Sequence, residues 1–255
     1  MIDRTLNVLA DGEELSGFSR VRLTGADSVG LYPMPFTLRL WNLADEDYYL
    51  LSAARELSVL HGDSVLAAGT VTDACRSMVP EGTLTEVVFS AGIRLWEAPV
   101  SLSVEAGVSV SETVRRILAA SGTGVSLLAF PGEDPVRARP QAFSGRAAEC
   151  VEEALSAAGA RACLAPAGLC VVPTCRLPVS LELTEEDLID PPSRAGRYLL
   201  LRTRPVGWPL GKAVRVSWEG ETAEGIVTER SVDADNTEGK WTAELLAELS
   251  ALQRW

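Results

Sequence analysis

Pro35-Phe-Thr-Leu-Arg-Leu-Trp-Asn-Leu43 carries the clearest fold signal in this chain. Phe36, Leu38 and Leu40 occupy every second position, and the residues between them are mostly more polar. Because the side chains of a strand point alternately to its two faces, this spacing predicts a β-strand with one buried face. Pro35 stands at its start, where a missing N–H does little harm to a sheet.

Further strands are predicted on the C-terminal side of this stretch. Residues 64–71 follow a turn at His61-Gly62-Asp63, and Gly69 within them predicts a bulge or the close approach of another backbone. Residues 84–90 are rich in Thr, Val and Phe, which are favoured in strands. Several short strands separated by turn signals predict an antiparallel sheet or barrel in the first third of the chain.

The middle third carries helix signals that occur twice. Ser109 and Glu112 form a capping-box pattern, in which each side chain satisfies a backbone N–H at the start of a helix. Gly122 is placed to end that helix in a left-handed conformation. In the second copy, Ser144 is the expected N-cap and Gly159 the expected end. The repeat predicts two small units packed together, each with a helix and a strand.

The remaining predicted strands are short apolar or alternating segments: residues 125–129, 162–164 and 168–172 in the middle third, and residues 197–203, 214–218 and 225–228 in the last third. Residues 240–252 carry both strand and helix spacing, and we expect a strand followed by a short helical tail. The fold class is therefore α+β, mainly β. The late strands either complete the early sheet or form a second barrel.

The charge of the chain limits its partners. The 255 residues carry a formal net charge of −12 at pH 7. Because phosphate binding depends on Lys and Arg, such a chain repels nucleic acid and anionic membrane surfaces. The acidity predicts solubility, or a wall past which nucleic acid slides without sticking.

The N-terminal sequence and the cysteine pattern predict a protein that is made in the cytoplasm. Met1-Ile2-Asp3-Arg4 does not resemble a signal peptide, and no stretch approaches the roughly 18 apolar residues that span a bilayer. The cysteine count is odd and no pair has CxxC spacing, so we expect buried free thiols rather than disulfides or zinc ligands. The cysteines are Cys75, Cys150, Cys163, Cys170 and Cys175.

Residue patterns for catalysis or metal binding are weak. His61 is the one histidine, and no nucleophile-elbow pattern accompanies it. The acidic clusters at 45–47 and 185–187 are typical of solvated loops and helix starts. Residues 233–238 resemble a calcium loop, but Gly239 stands outside the required position, which favours a polar turn. We predict no catalytic residue, no metal site and no cofactor.

At its two ends the chain resembles one known family. Pro35-Phe-Thr-Leu-Arg-Leu-Trp-Asn-Leu43, followed by Gly69-Thr-Val-Thr72, is similar to the first tube-like barrel of phage baseplate hub proteins of the Mu-like and P2-like late control D family. Trp208-Pro-Leu-Gly-Lys-Ala-Val-Arg-Val216, Glu224-Gly-Ile-Val-Thr-Glu-Arg230 and Asp235-Asn-Thr-Glu-Gly-Lys-Trp-Thr242 resemble its closing strands. The duplicated helix units match the layout of the same family.

The resemblance implies a fold with two tail-tube-like antiparallel β-barrels. The first barrel would occupy residues 1–97, the duplicated small α/β units residues 98–176, and the second barrel residues 177–255. A trimer of such chains would offer six similar surfaces to a hexameric tail tube and three to a spike. Sheet edges joined between subunits would close the ring.

The resemblance also implies partners and a location. Besides itself as a homotrimer, the chain would bind the tail tube or distal tail protein, the spike or tip protein and the tape measure protein. DNA would pass through its channel without specific binding, and the chain would not insert into a membrane. It would assemble in the host cytoplasm and then reside in the baseplate of the virion tail.

The chain has six tryptophans, and core packing is their ordinary role. Because Trp is enriched where interfaces concentrate binding energy, Trp41, Trp218, Trp241 and Trp255 are candidates for subunit contact. Two alternative functions remain open: a tail-associated cell-wall hydrolase and a peptidoglycan-binding module, since the two α/β units loosely resemble LysM repeats. Neither alternative has motifs as extensive as the hub layout.

Overall fold

The stretch at 35–43 lies inside a large sheet. The computed structural model describes residues 4–173, 177–237 and 239–249. Within it, β4 (Pro35–Trp41) is paired with a neighbouring strand on both sides. Phe36, Leu38 and Leu40 are fully buried, as their alternation predicts.

Residues 4–97, here called the first lobe, consist mainly of strands. Besides β4, the elements are β1 (Asn7–Ala10), β2 (Glu13–Leu15), β3 (Arg20–Ser28), α1 (Asp45–Ala53), β5 (Glu56–His61), β6 (Ser64–Val79), β7 (Gly82–Ser90) and α2 (Ile93–Glu97). The strands pair in the order β3-β4-β7-β6-β5-β1-β2. The predicted strands at 64–71 and 84–90 are confirmed. Of the two alternatives for Gly69, the close approach is observed, because an added Cβ would meet the Ser90 carbonyl carbon at 2.4 Å.

The middle segment, residues 98–173, contains two packed helices and two small sheets. Its elements are β8 (Pro99–Val104), α3 (Val110–Ser121), β9 (Leu127–Ala129), β10 (Gln141–Arg146), α4 (Ala147–Ser156), β11 (Arg161–Ala165) and β12 (Gly168–Val172). β8 pairs with β10, and β12 lies between β11 and β9. The strands predicted at 162–164 and 168–172 are confirmed as β11 and β12, which pair antiparallel.

Both predicted boundaries of the first helix are confirmed, whereas the predicted start of the second helix is wrong. The Ser109 hydroxyl accepts a hydrogen bond from the Glu112 N–H at 3.3 Å, and Gly122 ends α3 with a φ of 65°. Ser144 is not the N-cap of α4, because it pairs with Ser101 inside the β8–β10 ladder. The helix starts only where that ladder ends, after Arg146.

Residues 177–249, here called the second lobe, are again mainly strands. They form β13 (Val179–Leu183), β14 (Ser193–Ala195), β15 (Tyr198–Thr203), β16 (Ala213–Trp218), β17 (Glu221–Asp235) and β18 (Trp241–Leu249). All three strands predicted in the last third are observed, and β17 continues well beyond residue 228. The strand expected from residue 240 is confirmed as β18, whereas the helical tail expected after it falls largely outside the described residues.

The late strands complete the early sheet. The second half of β17, residues 229–235, pairs antiparallel with residues 22–28 of β3. One thirteen-stranded sheet therefore runs from β14 through β17 and β3 to β2. Within the described ranges its pairings do not close into a barrel, so the expectation of two separate closed barrels is not met. The reason is the length of β3 and β17, which extend far enough to pair across the two lobes.

The two lobes share one pairing plan. The order β4-β7-β6-β5 in the first lobe corresponds to β15-β18-β17-β16 in the second. β6 shifts its register against β7 between Val71 and Asp73, and β17 shifts against β18 between Val227 and Glu229. The same sequence offset separates both pairs of positions. The irregularity therefore occurs at equivalent places in the two lobes.

A cross-strand ion pair repeats in the same way. Arg39 of β4 lies opposite Glu86 of β7, with Nε 2.7 Å from the carboxylate. Arg202 of β15 lies opposite Glu244 of β18, with Nε 3.4 Å from the carboxylate. Together with the shared register shift, this pair identifies the lobes as two copies of one strand arrangement.

Three groups of buried apolar side chains hold the molecule together. One lies in the first lobe around Phe36 and Phe89, and one in the middle segment around Phe143 and the inner faces of the two helices. The third lies in the second lobe and includes Cys163 from the middle segment. No helix in the described ranges is long and apolar enough to cross a membrane.

Candidate assembly surface

The seam between the lobes contains a buried ion pair. Arg230 of β17 lies directly opposite Asp27 of β3 and donates two hydrogen bonds of 3.0 Å to its carboxylate. The Arg230 side chain is 1% exposed and that of Asp27 is 10% exposed. The Arg230 guanidinium also lies 4.6 Å from the ring centre of Trp208 and 5.7 Å from that of Phe36. Burial raises the pKa of Asp27, and the charge of Arg230 opposes that shift.

Two more ion pairs join the same two strands, β3 and β17. Arg22 donates two hydrogen bonds of 3.0 Å to Asp233. Arg20 donates a further pair of hydrogen bonds to Asp235, whose carboxylate also accepts from the backbone and hydroxyl of Thr237. Burial alone would raise the pKa of Asp235, but these donors outweigh it and hold the pKa below its ordinary value of 3.8.

The face of the sheet opposite the first-lobe core is polar and its arginines are paired. It carries Thr24 and Thr37 in its central strands. The arginines on it, at positions 20, 22, 39 and 202, each lie within 4 Å of a carboxylate. An arginine whose guanidinium is bound by a carboxylate has fewer free N–H donors and less net positive charge with which to bind a phosphate. The positive charges of these four arginines are therefore largely compensated on this face.

The sheet leaves one long strand edge without a partner strand. β6 pairs with β5 only through Thr70, while its pairing with β7 continues to Val79. Across the described residues, the outer edge of positions 73–79 has no strand beside it. Met78 on this stretch is 81% exposed, and Cys75 is also exposed. At the far end of the sheet, β14 is terminal and all three of its residues are exposed.

The four tryptophans proposed for subunit contact lie in different environments. Trp41 and Trp218 are half-buried at strand ends, and the Trp41 ring is covered by the guanidinium of Arg20 at 4.6 Å. Trp241 is 6% exposed and belongs to the first-lobe core, so little of its side chain is left for a second subunit. Trp255 lies outside the described residues.

The residues considered for catalysis do not assemble into a site. His61 ends β5, its Nδ1 lies 3.0 Å from the Thr5 carbonyl oxygen, and its ring edge packs on Trp241. Residues 45–47 form the first turn of α1, and residues 185–187 lie in a turn. Asp233 and Asp235 of the calcium-like segment bind arginines instead. In the described ranges, no three His, Cys, Asp or Glu residues are grouped to hold a metal ion.

The cysteines differ in exposure. Cys150 and Cys163 are buried, as expected, and Cys170 is partly buried, whereas Cys75 is exposed on β6. Burial raises the pKa of the Cys163 thiol to about 12, so this thiol is unreactive. Cys175 lies outside the described residues.

Sequence reasoning did not identify the seam. Asp27 and Arg230 are 203 positions apart, and neither belongs to a motif. One signal was present: each is a charged residue at an inward position of a strand whose other inward residues are apolar or small. Such residues of opposite charge indicate a pair only once the pairing of their strands is known.

Solved structures of tail proteins share this fold. A tail protein from Neisseria meningitidis matches with a TM-score of 0.68 and 12% sequence identity, covering 95% of each chain. A 43 kDa prophage MuSo2 tail protein from Shewanella oneidensis matches with a TM-score of 0.64 and 12% identity, covering 95% of this chain and 97% of its own.

A third match comes from a secretion system. The E. coli c3393 protein, described as a component of the type VI secretion system with structural similarity to the T4 bacteriophage tail proteins gp27 and gp5, has a TM-score of 0.67 and 12% identity over 96% of this chain and 77% of its own. No family model and no curated protein matches the sequence. The chain thus has the fold of these tail proteins over nearly its whole length.

Proposed function

We propose that this chain is the baseplate hub of a phage tail or of a related injection particle. Three copies would form a ring that adapts a hexameric tail tube to a trimeric spike or tip. The observation that carries this proposal is the repeated strand plan of the two lobes. A protomer with two equivalent lobes offers two equivalent docking faces, so three protomers match a sixfold cylinder on one side and a threefold spike on the other.

Each part of the chain would have its own role in this ring. Residues 1–97 and 177–255 would be the two tube-like units, each completed as a barrel wall only in the assembled ring. Residues 98–176 would form the paired α/β unit at the periphery. The tail tube or distal tail protein would bind one end of the ring, and the spike would bind the other. The tape measure protein would meet the ring from the tube side.

The polar sheet face would line the channel. Its arginines are held by carboxylates, and the whole chain is acidic at −12. A wall with these properties repels the phosphate backbone and lets DNA pass without specific contacts. His61 packs on Trp241, and Asp233 and Asp235 are bound by arginines, which supports a structural rather than an enzymatic role.

Size measurement with a matched pair of variants tests the hub proposal. We expect light scattering and electron micrographs to show a trimeric ring, alone or mixed with the tube and spike proteins of the same particle. Trp41→Ala should weaken the trimer, because the half-buried Trp41 indole lies at a strand end and is a candidate for subunit contact. Trp96→Ala is the control, since Trp96 is similarly half-buried but packs on Arg146 and Tyr32 around the middle segment.

The outcome that contradicts the hub proposal is equally definite. A protein that stays monomeric at all concentrations and forms no ring with tube and spike proteins is not a hub. Equal loss of assembly in both tryptophan variants would instead remove Trp41 from the interface.

A further inference from the structure

We propose that residues 73–79 of β6 pair antiparallel with β14 of a second copy of this chain, with Cys75 opposite Ala195. The contact is head-to-tail, because the first lobe of one copy meets the second lobe of the next. This inference rests on the proposed function and specifies which sheet edges join the ring. It follows from the internal repeat of the chain.

The first step is the equivalence of the strands. The matching pairing plans make β6 equivalent to β17 and β4 equivalent to β15. β3 pairs with the outer side of β4, and β14 pairs with the outer side of β15. β14 therefore stands in the second lobe where β3 stands in the first.

In the second lobe, the strand that covers the equivalent edge is β3. After its register shift, β17 is no longer covered by β16, and residues 229–235 pair with β3. The equivalent stretch of β6 is residues 73–79, which have lost β5 and have no strand on that edge within the described part of the chain. The partner equivalent to β3 is β14. Within one chain β14 lies at the opposite end of the sheet, so the β14 that meets this edge belongs to another copy.

The register of β17 against β3 gives the expected register of β6 against β14. In the seam, Ser231 of β17 lies opposite Ala26 of β3. Cys75 takes the place of Ser231, and Ala195 takes the place of Ala26, because Gly25 pairs with Phe36 as Arg194 pairs with Leu199. The Ser231–Ala26 and Cys75–Ala195 pairs lie on the channel face, whereas the Gly25–Phe36 and Arg194–Leu199 pairs lie on the other face of the sheet.

The side chains brought together by this register are compatible. Met78, which is 81% exposed in one copy, falls opposite the apolar ring of Pro192. Ser77 falls opposite Ser193. Arg76 falls opposite Arg194, but its guanidinium is already held by Asp45 and by the Leu43 carbonyl oxygen. Pairing would also cover the backbone of an edge that otherwise invites non-specific association.

A disulfide tests the register directly. Residues opposite each other in antiparallel strands have Cα atoms about 4.5 to 5.5 Å apart, which is within the range that a disulfide spans. We expect Ala195→Cys to form covalent dimers and trimers through the native Cys75 under mild oxidation of the full chain, read on a non-reducing gel. Cys75→Ser in the same background should abolish them.

Arg194→Cys is the matched control. It places a thiol on the same exposed strand but on the opposite face, because a shift of one residue turns a side chain to the other side of the sheet. Cross-linking by Arg194→Cys as strong as that of Ala195→Cys would overturn the proposed register. Cross-links that persist without Cys75 would overturn it as well.

The failure of this pairing and of the hub function can be told apart. A protein that is trimeric by light scattering but shows no Cys75-dependent cross-link in Ala195→Cys keeps its proposed function and loses this interface. A protein that is monomeric in every condition and shows no cross-link loses both.

Discussion

Among the side chains of the seam, loss of the Asp27–Arg230 ion pair should lower the stability of the fold most. Removing the Arg230 guanidinium leaves the Asp27 carboxylate buried without its counter-charge, and breaking a buried pair in this way costs about 3 to 5 kcal/mol. We expect Arg230→Met to lower the free energy of unfolding by that amount in urea titration. The double variant Asp27→Leu with Arg230→Met should recover much of the loss, since no buried charge is left.

An exposed pair provides the control for this prediction. Arg39 and Glu86 are 39% and 34% exposed and are bound in the same cross-strand manner. Glu86→Gln should cost at most about 1 kcal/mol, because solvent screens such pairs. If Arg230→Met is no worse than Glu86→Gln, the buried pair does not stabilise the seam.

At the scale of elements, the two lobes need glycine at the same place. Gly69 of β6 and Gly225 of β17 are related by the offset that relates the register shifts. An added Cβ would meet the Ser90 carbonyl carbon at 2.4 Å in the first case and the Glu248 carbonyl oxygen at 2.7 Å in the second. We expect Gly69→Ala and Gly225→Ala each to cost about 1 to 3 kcal/mol of unfolding free energy through overpacking.

Gly207 is the matched control for these substitutions. Its backbone has no left-handed φ, and the nearest atom to an added Cβ is the Ser64 Cβ at 3.4 Å, an ordinary contact. Gly207→Ala should therefore leave the urea midpoint nearly unchanged. A midpoint for Gly69→Ala that matches that of Gly207→Ala would show that β6 and β7 can move apart at no cost.

Local patterns predicted individual elements well because their causes are local. The alternation in β4 and the Ser109 cap depend on residues a few positions apart. Helix α1 was not predicted because its apolar residues form no stripe, and only Leu51 is buried. Ser144 was assigned wrongly because a distant part of the chain keeps it in a strand. It pairs with Ser101 of β8, and no local pattern around Ser144 reveals that pairing.

The candidate assembly surface could not be predicted beyond its general nature. The resemblance indicated sheet edges that join subunits, but which edges are open depends on how far β6 and β17 extend past β5 and β16. That length is set by pairings between distant strands, such as β17 with β3. Trp241 shows the same limit: its sequence position suggested an interface, and tertiary packing placed it in a core.

At the scale of the whole molecule, the seam makes both lobes one sheet, so its ion pairs should link global stability to pH. The pKa of Asp235 lies below its ordinary 3.8, because its bonds to Arg20 and Thr237 favour the ionised form. A group of this kind stabilises the fold above its ordinary pKa, and this stabilisation is lost as the pH falls through the lowered value. Asp235→Asn should therefore cost about 1.5 to 3 kcal/mol at pH 7 and progressively less below pH of about 4.

Asp27 should show the opposite trend, which makes it the internal control. Burial raises its pKa, so the folded state holds its proton more tightly than the unfolded state does, and the wild type loses this contribution as the pH rises through the raised value. The cost of Asp27→Asn relative to wild type should thus shrink with rising pH, whereas that of Asp235→Asn grows. Urea titrations of both variants from pH 3 to pH 7 measure the two slopes. Parallel slopes would mean that the seam carboxylates do not differ in environment as their burial and hydrogen bonds require.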